Sequence, residues 1–143
     1  MILGIVGSEA AKFTTATEAA ARAVIRELLA TGKYAGVVSG RCHLGGVDLF
    51  AIDEAQRAAL ATREFPPRTR AWLTGYKPRN IQIATFADEV VCITVRELPP
   101  GYTGMRFALC YHCGTKDHVK SGGCWTVKYA QQLGKRAWVV AVS

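Results

Sequence analysis

The sequence predicts an α/β fold with a mostly parallel sheet of about five strands. Three observations lead there. Short apolar runs at residues 2–7, 35–39 and 89–95 alternate with longer stretches of helical periodicity, the order of βαβ units rather than of hairpins. At 143 residues, half of them hydrophobic and a fifth charged, the chain can fill one core and reads as a single domain over 1–143. Glycine-bearing loops, at Ser39–Asp48 and Ser121–Thr126, fall where strands hand over to helices.

Taken in order, Ile2–Gly7 reads as a buried first strand. Thr15-Ala16-Thr17-Glu18 has the pattern of a capping box, a hydroxyl at the N-cap and a carboxylate three residues on, so a helix starts there. Ala21, Val24, Ile25, Leu28 and Leu29 continue at helical spacing, and Gly32 supplies the stop. The second strand, about 35–39, feeds through its glycine loop into an alanine-rich amphipathic helix that runs to about Thr62. This βαβα order calls for a parallel sheet with right-handed crossovers. Glu64-Phe65 reads as a short third strand cut off by Pro66-Pro67, and the chain to Lys77-Pro78 as loop. A helix from Arg79 carries Ile81, Ile83, Ala84 and Ala87, and Glu89–Val95 is the clearest buried strand. Residues 102–124 form an irregular insert rich in Cys and His. A helix from Trp125 to Leu133, ended by Gly134, then leads into a final strand, Ala137–Val142.

Charge and cysteine content narrow the function classes. The formal charge of +7 favours anionic partners, whether nucleotide, nucleic acid or acidic protein, although the basic residues form no concentrated stripe. No apolar stretch reaches the length of a membrane span, and Met1–Gly7 has neither the basic leader nor the length of a signal peptide. A cytoplasmic location is expected. There the five cysteines stay reduced, and clustered cysteines point to metal or reactivity before disulfides.

Strand, glycine loop, helix start is an arrangement that offers unpaired backbone N–H groups and a positive dipole end to an anion. At Ser39–Asp48, the glycines Gly40, Gly45 and Gly46 allow close approach to a phosphate, with Ser39 and Arg41 as donors. A tight turn without a ligand is the competing reading. Asp48 lies in the first turn of its helix and favours the dipole as a cap. Ser121, Gly122 and Gly123 repeat the arrangement before the last helix. Arg79 can pair bidentately with a phosphate, and Asn80 can read a base or ribose edge; a helix cap beside a surface arginine is the competing reading. Trp125 and Tyr129 either stack on a base or belong to the core.

The insert carries Cys110, Cys113, His118 and Cys124, in the spacing C-x2-C-x4-H-x5-C. Two thiolates of a C-x-x-C turn chelate one metal, and His118 with Cys124 closes a tetrahedral set suited to structural zinc. His112 competes with His118 as the nitrogen ligand. Ordinary small residues, or a reactive dithiol, are the other readings of the same cysteines. A Cys42–His43 nucleophile in the central loop is a remoter one.

These segments together resemble the SLOG superfamily, Rossmann-like nucleotide-binding domains that include DNA-processing protein A and the lonely-guy phosphoribohydrolases. Val37-Val38-Ser39-Gly40 followed by Gly46-Val47-Asp48 is similar to the family's second-strand signature. Gly4-Ile5-Val6-Gly7-Ser8 is similar to its first strand and loop, Arg79-Asn80 ahead of Ala87–Val91 to its arginine-asparagine helix start, and Gly122-Gly123 with Thr126 to its last glycine loop. The resemblance spans nearly the whole chain. It implies a three-layer Rossmann-like domain, a homodimer for which the apolar helix 46–62 is available, and a ligand site that includes Gly7, Ser8 and Thr126, with Asp48 near the ligand as an alternative to its capping role. Two departures matter. Lonely-guy enzymes carry acidic residues just after that threonine, where this chain has Val127, Lys128 and Tyr129. Relatives often place an arginine after the first loop's serine, where this chain has Glu9.

The expected function is therefore binding of a nucleotide or nucleotide-derived ligand at the C-terminal ends of the strands. An N-ribosyl hydrolase or transferase is the first alternative. It needs a carboxylate, for which Glu9, Asp48 and Asp88 are the candidates, Asp48 first. Binding of single-stranded DNA is the second alternative, and it predicts affinity that falls steeply with salt.

Overall fold

A computed structural model describes all residues, Met1–Ser143. The elements in order are β1 (Ile2–Gly7), α1 (Thr15–Ala30), β2 (Gly36–Gly40), α2 (Val47–Arg57), β3 (Ala61–Phe65), a π-helical turn (Trp72–Tyr76), α3 (Lys77–Phe86), β4 (Glu89–Val95), α4 (Gly122–Gln132) and β5 (Arg136–Val142). The five strands form one all-parallel sheet in the order β3-β2-β1-β4-β5. Helices α1 and α2 pack together on one face and α3 and α4 on the other. The chain thus winds one way from β1 to β3 and the other way from β4 to β5, with the switch point between β1 and β4.

Alternation along the strands divides the core. Leu3, Ile5, Val91, Ile93 and Val95 face α1 and α2, where they meet Ile25, Leu29, Phe50 and Ala51. Val6, Val38, Val90 and Cys92 face Ile83, Ala84, Val127 and Ala130 on α3 and α4. β4 is buried at every position, the property that makes it a continuous apolar run.

Four expectations about element boundaries are corrected. The N-cap of α1 is Thr14, not Thr15, and its box partner is Thr17 rather than Glu18: Thr17 N–H donates to Thr14 Oγ1 at 3.1 Å and Thr14 N–H to Thr17 Oγ1 at 2.8 Å. α2 ends at Arg57, because Ala59 takes a left-handed conformation (φ 56°), and Ala61-Thr62 belong to β3. The stretch ahead of Lys77 is not plain loop but the π-helical turn, closed by a Tyr76 N–H to Ala71 O bond of 3.1 Å. α4 begins at Gly122, three residues earlier than expected, so the irregular connection is 96–121 and Gly122–Cys124 are helical.

At the N-terminal edge of the sheet, Glu89 is buried and accepts from Tyr34 Oη at 2.5 Å and from Lys33 Nζ at 3.0 Å. Burial works against its charge, but the Tyr34 and Lys33 bonds outweigh that and hold the carboxyl below its usual range. Burial and the neighbouring carboxylate push the Tyr34 hydroxyl up to about 12. A carboxyl with a lowered native pKa adds stability above its unfolded pKa, and this is lost as pH falls through the native value. Glu89→Gln is expected to cost about 1–3 kcal/mol at pH 7, with the gap to the parent narrowing below about pH 4, as read by urea midpoints.

Candidate functional site

The two glycine loops end up in different situations. At α2, the chain itself fills the place an anion would take. Val47 N–H donates to Ser8 O at 3.1 Å, Ala10 N–H donates to Leu44 O at 3.2 Å, and Cys42 N–H donates to Asp48 Oδ2 at 3.2 Å. Gly46 is left-handed (φ 84°), and a Cβ there would lie 2.2 Å from Ser8 O, so its glycine serves this loop-to-loop packing. Ser39 is buried and donates to Ile5 O at 2.5 Å. A Cβ on Gly40 would meet Arg79 Nη1, so Gly40 is the seat on which the Arg79 guanidinium lies. Arg41 is exposed, and Ser39, Gly40, Arg41, Gly45 and Gly46 do not line the adjoining cleft.

That cleft, of about 940 Å³, lies over the C-terminal ends of the strands at the switch point. Of the expected residues, Gly7, Ser8, Asp48, Arg79, Asn80, Ser121, Gly122, Gly123 and Thr126 line it. α4 starts directly against the end of β1: a Cβ on Gly123 would be 2.8 Å from Cys92 Sγ and 3.0 Å from Gly7 N. Only glycine lets the helix come that close. Ser121 caps α4 by accepting from Gly123 N–H at 3.1 Å. Gly122 N–H has no protein acceptor. Thr126, one turn on, is fully buried, and its hydroxyl has no hydrogen-bond partner.

Asp48 and Arg79 form a buried pair, Oδ2 to Nη1 3.5 Å. Burial pushes the Asp48 carboxyl up, while Arg79, the Cys42 N–H and the Ser39 hydroxyl pull it back. Arg79 Nε also donates to Asn80 Oδ1 at 2.8 Å, and the guanidinium lies 5.1 Å over the Tyr76 ring. The other candidate carboxylates are placed differently. Asp88 accepts from Ile2 N–H at 2.7 Å, at the opposite edge of the sheet, and is not in the site. Glu9 lines the cleft and accepts from Tyr102 Oη at 3.4 Å. Cys42 and His43 do not pair; each turns to Tyr76, whose hydroxyl is 2.9 Å from His43 Nδ1 and 3.9 Å from Cys42 Sγ.

Lys12, Arg70 and Lys120 add positive charge to the lining, and Trp72 and Tyr76 of the π turn add aromatic surface. None of the five belongs to the motifs that mark the site in the sequence. Trp72 and Tyr76 stand four apart just ahead of Arg79, a spacing that would have put them on one helical face. Lys12 had no comparable signal; burial lowers its pKa, and its ammonium donates to Lys120 O at 2.9 Å.

Behind α4, the four candidate ligands converge. The ligand atoms of Cys110, Cys113, His118 and Cys124 all lie within 4.8 Å of one another and could hold a metal ion. Tetrahedral thiolate sites have bonds of about 2.3 Å, so their edges are of this order. His118 is the histidine brought in. Its Nδ1 is 2.6 Å from Asp117 Oδ1, which leaves Nε2 facing Cys124 Sγ at 3.7 Å, and the carboxylate-to-histidine contact is the usual support of a metal ligand. His112 lines the cleft instead. Burial pushes the Cys113 thiol up to about 12, and the Cys92 contact together with burial raises Cys124. A divalent cation reverses that preference by stabilising the thiolates. Cys124 belongs both to this cluster and to the first turn of α4, so the cluster and the cleft share one element.

No family model, no characterised protein and no solved structure matches this chain. No helix is long and apolar enough to cross a membrane.

Proposed function

We propose that the protein binds a nucleotide or nucleotide-derived ligand, with a phosphate on the first turn of α4 and a structural zinc holding that turn to the 96–121 connection. The observation that carries the reading is Thr126, a fully buried hydroxyl without a partner on the lining of the cleft. A native protein leaves few such groups, and a bound water, ion or ligand is one of the standard reasons for keeping one. It stands one turn into a helix whose Gly122 N–H is also without an acceptor, where the dipole favours an anion. Lys12 and Lys120 supply the counter-charge on this side, and the resemblance to SLOG domains supports the same placement. Zinc suits the donor set of three thiols and one imidazole, and four protein ligands leave no open position, so its role is structural. Five free cysteines suit a reducing cytoplasm. The resemblance also supports a homodimer.

A thermal-shift screen of adenine and guanine nucleotides tests the reading, and no stabilisation by any of them would defeat it. Thr126→Val sharpens the test because it keeps the volume and removes only the hydroxyl. The unpaired group costs stability in the ligand-free protein, so the variant is expected to gain up to about 1 kcal/mol. Its nucleotide Kd is expected to rise about tenfold, the worth of one hydrogen bond to a charged oxygen. Opposite signs for stability and affinity are the signature of a group kept for its ligand.

A further inference from the structure

The cleft is aromatic on both sides of its anion site. From the connection that leaves β3, the π turn brings Trp72 against Trp125 edge to face at 5.1 Å, and Tyr129 stacks behind Trp125 at 5.3 Å. From the connection that leaves β4, Phe107 and Tyr111 meet edge to face at 5.4 Å, with Lys120 Nζ 5.1 Å and 5.2 Å over their rings. These two connections flank the switch point from opposite halves of the sheet. Exposed apolar side chains gathered around one cleft, unlike scattered ones, mark a binding surface. Trp72, Phe107 and Tyr111 are 42, 42 and 56 % exposed, and all three border this cleft. The remaining exposed aromatic, Phe86, is elsewhere, packed on Phe65.

Four cations, Lys12, Arg70, Arg79 and Lys120, line the same cleft as the first turn of α4. The carboxylates on the lining are already engaged, Asp48 with Arg79 and Glu9 with Tyr102. The cleft volume, about 940 Å³, is at the upper end of the ~300–1,000 Å³ of small-molecule sites. One base and one phosphate would leave one aromatic side uncovered.

We infer that the ligand is a dinucleotide: two planar heteroaromatic groups joined through phosphates, one lying on Trp72 and the other on Phe107 and Tyr111. This rests on the phosphate position at α4 proposed above. A base stacked on an aromatic side chain adds roughly ten- to hundred-fold in affinity and tolerates either kind of base. The second ring should therefore be visible as a step in affinity between ligands that carry one base and ligands that carry two.

Calorimetric titration with inorganic pyrophosphate, ADP, NAD and diadenosine diphosphate tests this. The expected order is pyrophosphate weakest, ADP intermediate, and one of the two dinucleotides at least tenfold tighter than ADP. Trp72→Ala, and separately Phe107→Ala with Tyr111→Ala, should each bring the tighter dinucleotide back to about the ADP level. These side chains are exposed, so the fold should tolerate their loss, and unchanged melting temperatures check that. ADP binding as tightly as both dinucleotides would overturn the two-base inference and leave the nucleotide reading intact. Absence of binding by all four would overturn both. A short oligothymidylate binding more tightly than either dinucleotide would overturn the inference in favour of single-stranded nucleic acid.

Discussion

Protein purified without chelator is expected to carry one zinc per chain, and Cys113→Ser to lose it together with at least about 3 kcal/mol of stability. The size of the effect follows from what else holds the 96–121 connection. It has no helix or strand, and few bonds tie it to the rest of the fold: Arg96 N–H to Val142 O at 2.9 Å, Tyr102 Oη to Glu9 at 3.4 Å, Val119 N–H to Val95 O at 2.8 Å, Thr94 Oγ1 to Val119 O at 2.9 Å and Lys12 Nζ to Lys120 O at 2.9 Å. A loop of that length pays an entropy cost that a single metal tie can repay, since the ion fixes three points of the loop to the helix that follows. Native mass spectrometry reads the metal and urea denaturation reads the stability. Asp117→Ala leaves the four ligands in place but removes the support of His118, and should lower zinc affinity about 10–100-fold. Because Cys124 is in the first turn of α4, chelation should also weaken nucleotide binding. A bare chain mass, with Cys113→Ser as stable as the parent, would make the four side chains ordinary buried groups and discard the metal.

How far the sequence could be read depended on whether a feature was local. β4 was legible to the residue because both its faces are buried, and burial on both sides writes an uninterrupted apolar run. β3 was half missed because it is an edge strand whose first residues, Ala61-Thr62-Arg63, are exposed and carry no pattern. The end of α2 had no glycine to mark it, since Ala59 adopts the left-handed conformation instead. The π turn leaves only the four-residue spacing of Trp72 and Tyr76 as a trace, and it delivers both rings to the cleft.

The site divides in the same way. Both glycine loops were readable as helix starts with room for an anion. Which of them stays open was not readable, because it depends on tertiary contacts. The Asp48 side chain folds back onto Cys42 N–H, and Ser8 O caps Val47, so the loop that looked central is filled from within. The choice between His112 and His118 was likewise settled by how the connection folds, which sends one ring into the cleft and the other to the cysteines.

Asp48→Ala is expected to destabilise the protein by about 3–5 kcal/mol, the usual cost of stranding one partner of a buried ion pair. The Arg79 side chain is 9 % exposed and would keep a charge whose counter-ion is gone, while Cys42 N–H would lose its acceptor. Removing both charges should be cheaper than removing one. Asp48→Ala combined with Arg79→Met is therefore expected to recover much of the loss, and a urea double-mutant cycle would report a coupling of several kcal/mol. The same logic gives a ligand-dependent result. Arg79 lies on the cleft, so in Asp48→Ala a bound nucleotide phosphate can replace the missing carboxylate. The single variant should then gain more stability from a saturating nucleotide than the parent does, and the double variant should not. If Asp48→Ala and the double variant were equally destabilised, with equal gains from ligand, the pair would be a bystander. The cost would then belong to the lost hydrogen bonds of the Cys42 loop alone.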